Sequence, residues 1–451
     1  MSSPLRVQLP ALGDASMALS ARSRAVFPDG TTRVTVERDP LPRFISHGRG
    51  AYLYDVDGKG LLDLNNNFTT LIHGHGYAPV IEAVQRQLVD GACFANPTQH
   101  EIALAELIVS RVPGIEKMRF VNSGTEAVMY AVKAARALTG KPAIAKFEGA
   151  YHGGYDVVEI SQASTPANWG SPEEPARTRY YKGSPASGLD DAVILRFNDT
   201  KQSLAQLHRH ADRIAALVID PMPSRAGLVA PEPDFIQAVQ ACCKELGILV
   251  IVDEVLNFRQ GYAGASPRYG IWPDLMVFGK IIGGGFPIGA IAGRSELMQV
   301  FSAEKGRPAV PQGGTFSANP VSMVAGLVSM QAMTPAAYEH LEALGELVRR
   351  KLIAAIEKFK APFSVTGAAS LFRIHAKSIP PREYREAYPT PKEESVLKHM
   401  WRFFQAAGIN LPHGAAASLS TPMTNSDIEM IAETFELFLK QNADLIAELR
   451  Q

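Results

Sequence analysis

A lysine at the end of an apolar run is the most reactive side chain that the sequence offers. Lys280 follows the segment PDLMVFG at residues 273–279 and precedes a glycine-rich segment at residues 281–289. A lysine that faces an apolar site has a lowered pKa and becomes nucleophilic, as Schiff-base chemistry requires. The neighbouring glycines would let the backbone approach a planar ligand closely. The alternative, a lysine that extends to solvent, fits less well at the end of a buried strand.

Two adjacent carboxylates end another apolar run. Residues 247–252 lead into Asp253 and Glu254, and alternation along a strand puts these two side chains on opposite sides. We therefore do not expect them to share a proton. A carboxylate at this position could hold a cationic ring nitrogen, bind Mg²⁺ or cap a neighbouring helix. The residues alone leave these three roles open.

A third segment, residues 118–127, predicts a strand followed at once by a helix. Ser123 and Glu126 have the spacing of a capping box. Free backbone N–H groups at Gly124 and Thr125, helped by the helix dipole, would form an anion site that suits a phosphate. The simpler interpretation is a well-capped helix without a ligand.

Several familiar catalytic motifs are broken or absent. Lys280 is not part of a triphosphate-binding loop, because Asp274 replaces the first glycine and Ile281 replaces the serine or threonine. Leu104 stands where a zinc-protease helix would need its second histidine. No Gly-x-Ser-x-Gly elbow occurs. His73 and His75 could suggest a metal, but no third ligand is apparent. We therefore expect structural roles for both histidines and no metal site.

The candidate residues lie at the ends of short apolar runs that alternate with helical patterns. Most runs are apolar throughout, which is typical of a sheet covered on both faces, and the alternation predicts a mainly parallel α/β sheet. Ligands of such sheets bind beyond the carboxyl ends of the strands. The predicted strands are residues 118–121, 143–147, 193–197, 216–219, 248–252, 275–278 and 288–292, and a helix is predicted at 125–138.

The two ends of the chain predict a second, smaller lobe. Residues 50–58 have a strand–turn–strand pattern with Asp-Gly at the turn, and the chain becomes mostly helical after about residue 320. We therefore predict an N-terminal arm and part of a small domain in residues 1–75. A large domain would occupy residues 76–320, and residues 321–451 would complete the small domain.

Composition limits the classes of partner. The 451 residues are 46% apolar and 20% charged, and Lys plus Arg equals Asp plus Glu at 45 each. Without a basic excess, nucleic acid is not expected as a partner. Three cysteines argue against a disulfide framework and favour a reducing compartment. The N-terminus does not resemble a secretory signal, and the apolar runs are far shorter than the ~20 residues that span a bilayer. We expect a cytoplasmic protein that does not bind membranes.

Five motifs together resemble the class III aminotransferases, fold type I enzymes that depend on pyridoxal phosphate. They occur in the family's order and spacing, and the likeness runs from about Arg33 to the C-terminus. Within the family, the sequence looks closest to the branch of glutamate-1-semialdehyde aminomutases and β-amino acid aminotransferases. The motifs are NSGTEA at 122–127, EGAYHGG at 148–154, VDEV at 252–255, FGKIIGGGFPIGA at 278–290 and GGTFSANP at 313–320.

The resemblance implies roles for the residues that would surround pyridoxal phosphate. Lys280 would form the internal aldimine and then move a proton, and Asp253 would pair with the pyridine nitrogen. Thr315 would reach the phosphate that the neighbouring subunit holds, so the enzyme would be a homodimer with shared active sites. The other implied cofactor contacts are Ser123, Gly124 and Thr125 at the phosphate, Val255 and Tyr151 on the two ring faces, and His152.

Substrate contacts are implied less directly. Arg33 lies in a segment similar to one that supplies a carboxylate-binding arginine in this branch, although it could also be a solvated arginine beside a turn. Asn67 and Phe68 lie where relatives place an active-site aromatic residue. His413 replaces a segment that carries an arginine in β-amino acid enzymes and would be a weaker carboxylate anchor. Pro223 occupies the place where many relatives use glutamine near the cofactor's ring hydroxyl.

The resemblance implies a transaminase that moves an amino group from an amino acid or amine to a keto acid through a pyridoxamine intermediate. An intramolecular alternative is glutamate-1-semialdehyde 2,1-aminomutase, which uses the same cofactor residues. A non-catalytic interaction protein is a third possibility, which the intact Lys280, Asp253 and phosphate motif disfavour.

Overall fold

The computed structural model describes residues 13–39, 41–414 and 416–450. Most of the N-terminal stretch that was predicted not to be a secretory signal therefore lies outside the described residues. The helices are α1 Asp14–Val26, α2 Asn66–Thr69, α3 Ala78–Asp90, α4 Gln99–Arg111, α5 Gly124–Thr139, α6 Asp156–Glu159, α7 Ala186–Asp190, α8 Thr200–Arg209, α9 Pro233–Leu246, α10 Ser295–Met298, α11 Pro320–Ala332, α12 Pro335–Phe359, α13 Tyr384–Ala387, α14 Pro391–Ala406, α15 Asn425–Gln441 and α16 Ala443–Ala447. The strands are β1 Ile45–Arg49, β2 Tyr52–Asp55, β3 Gly60–Asp63, β4 Lys117–Val121, β5 Ala143–Phe147, β6 Ala192–Leu195, β7 Ile214–Ile219, β8 Leu249–Asp253, β9 Leu275–Gly279, β10 Gly289–Gly293, β11 Ser364–Thr366, β12 Leu371–His375, β13 Ile409–Asn410 and β14 Ala417–Ser418.

A seven-stranded sheet forms the larger lobe, with the strand order β4-β10-β9-β8-β7-β5-β6. Strand β10 runs antiparallel to both of its neighbours, and the other neighbouring pairs are parallel. Every residue of β5, β6, β7, β9 and β10 is buried. This agrees with their apolar sequences, because a sheet covered on both faces has no solvent-facing side. The prediction of a mainly parallel seven-stranded sheet is confirmed.

Each predicted strand overlaps one strand of this sheet. The largest difference is at 193–197, where β6 covers Ala192–Leu195 and the chain then turns towards α8. The helix predicted at 125–138 is α5, which is capped at its C-terminus by Gly140 with a left-handed φ of 70°. Glycine suits this cap because it has no Cβ to clash in that conformation.

The smaller lobe joins both ends of the chain. Strand β13, near the C-terminus, pairs in parallel with β3, so that Ile409 lies opposite Leu62. Strands β1, β2 and β3 complete this sheet, and β11, β12 and β14 form another. The strand–turn–strand pattern that was predicted at 50–58 becomes the hairpin of β2 and β3. The expected α+β lobe from both termini is present.

The two lobes share apolar packing. One buried cluster contains Leu62 of β3, Phe278 of β9 and Phe435 of α15. Helix α11 packs against both α3 and α4, so the residues on either side of position 320 belong to a continuous structure. The exact domain boundaries near residues 75 and 320 stay a prediction.

His73 and His75 both bond to other parts of the chain. His73 contacts Thr421 Oγ1 at 3.1 Å and Ser329 O at 2.9 Å, and His75 Nε2 lies 2.8 Å from Asp63 Oδ2. Within the described ranges, no group of three or more potential His, Cys, Asp or Glu ligands is positioned to hold a metal ion. Nor does this part of the chain contain a helix that is long and apolar enough to cross a membrane.

Candidate active site

Lys280 occupies a strained backbone position at the carboxyl end of β9. Its φ is 51°, in the left-handed region that side chains other than glycine rarely adopt. Burial lowers the pKa of Lys280 to about 8, although the charges of Asp253 and Asp220 act in the opposite direction. No hydrogen bond or ion pair to another described residue holds its amino group. A substantial fraction of the amine is therefore neutral and nucleophilic near pH 8.

Asp253 is fixed by two hydrogen bonds at the end of β8. His152 Nδ1 lies 2.8 Å from Asp253 Oδ2, and Val255 N donates to Oδ1 at 3.0 Å. Burial lowers the pKa of His152 despite the neighbouring carboxylate, so the neutral ring donates from Nδ1. Glu254 points elsewhere and accepts from Ser266 N at 2.7 Å. The two carboxylates therefore diverge, as strand alternation predicted.

The N-terminus of α5 has the free N–H groups expected of an anion site, but its cap differs from the prediction. Ser123 Oγ accepts from Glu126 N at 3.2 Å, but the Glu126 carboxylate accepts from Asn122 N at 2.8 Å and not from Ser123. The predicted capping box is therefore only half formed, because Glu126 reaches one residue further back. The N–H groups of Gly124 and Thr125 have no partner within the helix and donate to no other described residue. They are free to bind an anion.

Glycines bring the backbone close to the side chains of the site. A Cβ on Gly124 would lie 2.9 Å from Val255 Cγ1, and one on Gly279 would lie 3.3 Å from the same atom. A Cβ on Gly153 would lie 2.5 Å from Thr125 Oγ1. Val255 therefore lies between the start of α5 and the end of β9, beside both Asp253 and the backbone that carries Lys280.

Tyr151 lies on the more exposed side of the site and is 45% exposed. Its ring is covered by the guanidinium of Arg225, whose Cζ lies 4.3 Å from the ring centroid. The chain beside Tyr151 is held by Lys146, which is fully buried and donates to Ala150 O at 3.0 Å and Ile160 O at 2.9 Å. Burial lowers the pKa of Lys146 to about 7.

Three of the four predicted substrate residues lie together. Arg33 Nη1 donates to Asn67 Oδ1 at 3.1 Å, and Arg33 Cζ lies 6.0 Å from the centroid of the Phe68 ring. Arg33 is exposed, so its guanidinium is accessible from solvent. The geometry thus brings a cation, an amide and an aromatic ring to one place.

The turn that carries Asn67 and Phe68 is strained. Asn66, Asn67, Phe68 and Thr69 have φ values of 48°, 50°, 54° and 72°. Such a run costs free energy at each residue and persists only where the surrounding structure enforces it. Strain of this kind is concentrated at functional sites, which supports a binding role for the turn.

A buried arginine holds this turn in place. Arg259 is fully buried and donates from Nη1 to Thr69 O at 3.1 Å, from Nε to Ser370 Oγ at 3.0 Å and from Nη2 to Leu419 O. Burial lowers the pKa of Arg259 to about 9. These three bonds join the segment after β8 to the small lobe, and no sequence pattern predicted them.

His413 lies among carboxylates of its own chain. Its Nε2 is 3.2 Å from Glu394 Oε1, and its Nδ1 is 3.7 Å from Glu37 Oε2. The hydrogen bond from His413 lowers the pKa of Glu394. Because both ring nitrogens face acidic side chains, the geometry does not support the expectation that His413 anchors a substrate carboxylate.

Thr315 lies on an exposed loop and its side chain forms no hydrogen bond within the described chain. Its carbonyl accepts from Cys93 Sγ at 3.6 Å. Two large apolar side chains are exposed near these residues in sequence: Phe94 is 47% exposed and Phe316 is 59% exposed. An uncovered apolar surface of this kind is typical of a protein interface.

Sequence reasoning missed three residues that surround the site: Lys146, Asp220 and Arg225. Asp220 directly follows β7 and accepts from Met222 N at 2.9 Å. Burial raises the pKa of Asp220 well above its ordinary range, and the charge of Asp253 adds to this effect. Asp220 and Arg225 both follow a predicted strand, so their position at the carboxyl edge of the sheet was the available signal.

Comparison with known proteins gives consistent matches. The chain matches the family Aminotransferase class-III over residues 34–436. It is 34% identical over 429 residues to glutamate-1-semialdehyde 2,1-aminomutase of Methanothrix thermoacetophila, covering 95% of this chain and 97% of that protein. An omega-transaminase structure from Sphaerobacter thermophilus is similar with a TM-score of 0.92 and 44% identity, covering 95% and 98% of the two chains. A transaminase structure with bound pyridoxal phosphate has a TM-score of 0.88 and 38% identity, covering 98% and 100%.

The residues present fit pyridoxal phosphate. Lys280 supplies an amine without a partner, Asp253 a carboxylate for a ring nitrogen, and α5 free N–H groups for a phosphate. Val255 offers an apolar surface for one ring face and Tyr151 an aromatic one for the other. His152 Nε2 is buried and has no partner in the described chain, which leaves one polar atom of the site available to a ligand or water.

Proposed function

Because the chain belongs to the class III aminotransferases, which are enzymes dependent on pyridoxal phosphate, we propose that it is a transaminase. It moves an amino group from an amino acid or amine to the keto group of a separate molecule. The observation that carries the proposal is the unpaired Lys280 amine beside the Asp253–His152 pair and the free end of α5. The 44% identity with an omega-transaminase supports transfer between molecules.

Each side chain of the site has a defined task in this chemistry. When bound, pyridoxal phosphate supplies an aldehyde that condenses with amines and a ring that accepts electrons from the adjacent carbon. Lys280 Nζ would move a proton from the substrate carbon that bears the amino group to the cofactor carbon that receives that group, and its lowered pKa of about 8 suits this task near neutral pH. Asp253 holds a proton on the ring nitrogen, and His152 keeps the carboxylate in place. Gly124 and Thr125 bind the phosphate.

We propose that Arg33, Asn67 and Phe68 form the outer part of the substrate site. The planar guanidinium of Arg33 can bind both oxygens of a carboxylate. Its bond to Asn67 Oδ1 orients the guanidinium and leaves other N–H groups for the substrate. Phe68, 36% exposed, offers an apolar surface beside the charge.

We also propose a homodimer in which Thr315 of each chain contacts the phosphate bound by the other. The exposed loop around Thr315 and the uncovered Phe94 and Phe316 support this arrangement. Cofactor affinity would then depend on association.

The proposal is tested by half-reactions of the purified enzyme. The absorbance of the cofactor is followed after addition of amines, α-amino acids and β-amino acids, each without an acceptor. Conversion by one of these donors, reversed by a keto acid, supports the transaminase. If no donor reacts and glutamate-1-semialdehyde alone isomerises, the enzyme is an aminomutase, the function that the 34% identical relative supports.

A further inference from the structure

Arg225 lies in a loop whose backbone is fixed from several directions. The loop follows β7, and Ala226 N and Leu228 N both donate to Pro223 O, at 3.2 and 3.0 Å. Arg373 Nη1 donates to Ser224 O at 2.7 Å and more weakly to Arg225 O at 3.4 Å. The side chain of Arg225 therefore starts from a backbone with little freedom to move.

The guanidinium of Arg225 has no acidic partner. It is half-buried, contacts the Tyr151 ring at 4.3 Å, and forms no hydrogen bond or ion pair through its side chain with another described residue. Two other arginines, Arg196 and Arg385, do have acidic partners: Arg196 pairs with Glu383 at 2.8 Å and Arg385 with Glu148 at 2.6 Å. A partly desolvated guanidinium with free N–H groups is well suited to bind a planar anion.

Arg225 also lies beside the site, because the Tyr151 ring that it contacts is next in sequence to His152, which bonds to Asp253. Arg225 is among the charges that lower the pKa of Lys280, and it likewise lowers the pKa of Tyr151 against the effect of burial. Arg33 is not among the principal charges that act on Lys280. Arg225 is therefore the arginine suited to a carboxylate next to the reacting carbon, whereas Arg33 suits one farther away.

We propose that Arg225 binds the carboxylate of an α-keto acid or α-amino acid, the carboxylate attached directly to the carbon that carries the oxo or amino group. This inference rests on the proposed transaminase function and names a substrate class for it. Tyr151 holds one face of the guanidinium and leaves its edge free for the two carboxylate oxygens. The enzyme then has two carboxylate sites, Arg225 for a carboxylate on the reacting carbon and Arg33 for one farther away.

The test compares two three-carbon acceptors, a keto acid that carries a carboxylate and an aldehyde that carries none. Enzyme loaded with an amino group by an amine donor is titrated in single turnover with pyruvate or with propanal. Arg225→Gln should weaken the apparent affinity for pyruvate by roughly 10- to 100-fold, because a charge-assisted hydrogen-bonded pair is lost. The apparent affinity for propanal should change less than about threefold. Arg225→Lys should lie between, because a point charge replaces the fork. Arg209→Gln, at an exposed pair with Glu174, is the matched surface control.

A second readout does not depend on turnover. Binding of propionate, which cannot react, is measured calorimetrically against the neutral propionamide, and we expect propionate binding to be lost in Arg225→Gln. Equal losses for pyruvate and propanal would mean that Arg225 only positions Tyr151 and would overturn the inference, as would unchanged propionate binding. If the wild type transfers no amino group but binds propionate through Arg225, the anchor stands and the transaminase proposal fails.

Discussion

His152 Nδ1 donates to Asp253 Oδ2 over 2.8 Å, and the two residues are only 2% and 4% exposed. Because burial keeps the imidazole neutral, this contact is a hydrogen bond from a neutral donor and adds no second charge to the site. The carboxylate is therefore held in its orientation by a donor that carries no positive charge. Its position relative to Lys280 depends on this one bond and on Val255 N.

Two replacements of His152 should separate the effect of its hydrogen bond to Asp253 from the effect of its side-chain volume. Asparagine can place an N–H donor near the position of Nδ1, so His152→Asn should keep most of the activity. His152→Leu removes the donor and should lower kcat/KM by about 10- to 100-fold, as expected for a hydrogen bond to a charged group. Asp253→Asn should lower kcat/KM further, because a neutral amide cannot keep the cofactor's ring nitrogen protonated. Steady-state kinetics and cofactor titration of the apoenzymes check this; equal activity of the Asn and Leu variants would contradict it.

The pKa of Lys280 can be read from its chemical reactivity. Acetylation of Lys280 in the apoenzyme, measured by mass spectrometry at several pH values, should rise with a midpoint at about 8, because only the neutral amine reacts and its pKa is lowered. Asp253→Asn removes a charge that raises this pKa, so the midpoint should move to lower pH. A midpoint near 10.5, the ordinary value, would show that Lys280 is solvated.

Lys280→Ala should have no turnover but still bind some cofactor.

Arg33 should matter for donors that carry a distant carboxylate. Arg33→Ala should raise KM for a β-amino acid by an amount that corresponds to about 1.5–3 kcal/mol, with a much smaller effect on 1-phenylethylamine, which has no carboxylate. Both half-reactions are followed through the cofactor absorbance. If KM rises equally for the two donors, Arg33 supports the fold around Asn67 and does not bind the substrate.

Arg259 should stabilise the strained turn at Asn66–Thr69. Arg259→Lys cannot keep all three hydrogen bonds and should lower the free energy of unfolding by about 2–4 kcal/mol, seen as a lower Tm. The control Arg268→Lys alters a more exposed pair with Glu342 and should cost about 1 kcal/mol or less. Similar Tm values for the two variants would show that Arg259 does not hold the turn.

The proposed dimer predicts that cofactor affinity depends on association. Phe94→Asp places a charge in the exposed apolar surface near Thr315 and should weaken the dimer and the cofactor affinity together. Ile379→Asp, at a side chain that is 79% exposed elsewhere, is the control and should change neither. Light scattering and apoenzyme titration measure both quantities. A fully active wild-type monomer at assay concentration would refute the shared site.

The sheet and the site's position were predictable because both depend on local patterns. Buried strands such as β7 require uninterrupted apolar runs, and a parallel sheet gathers the residues after its strands at one edge. Lys280, Asp253 and the start of α5 could therefore be placed together from their order alone.

What escaped prediction depends on contacts between distant segments or on strain. Asp253 and His152 are 101 positions apart, and Arg259 bonds to residues from both ends of the chain. The run of left-handed residues at Asn66–Thr69 contains no glycine, so its sequence does not indicate this conformation. The acidic neighbours of His413 were unpredictable for a similar reason, since nothing in its own segment indicates that Glu37 and Glu394 lie beside it.

The central claim is that the amino group passes from one molecule to another through the site of Lys280. The most direct measurement incubates the holoenzyme with a ¹⁵N-labelled amine donor and an unlabelled keto acid and follows the label by mass spectrometry, with Lys280→Ala as the control. The account predicts ¹⁵N in the amino acid formed from the keto acid and none with the variant. If, for every donor that reacts, the ¹⁵N stays in the donor or in an isomer of it, transfer between molecules is contradicted.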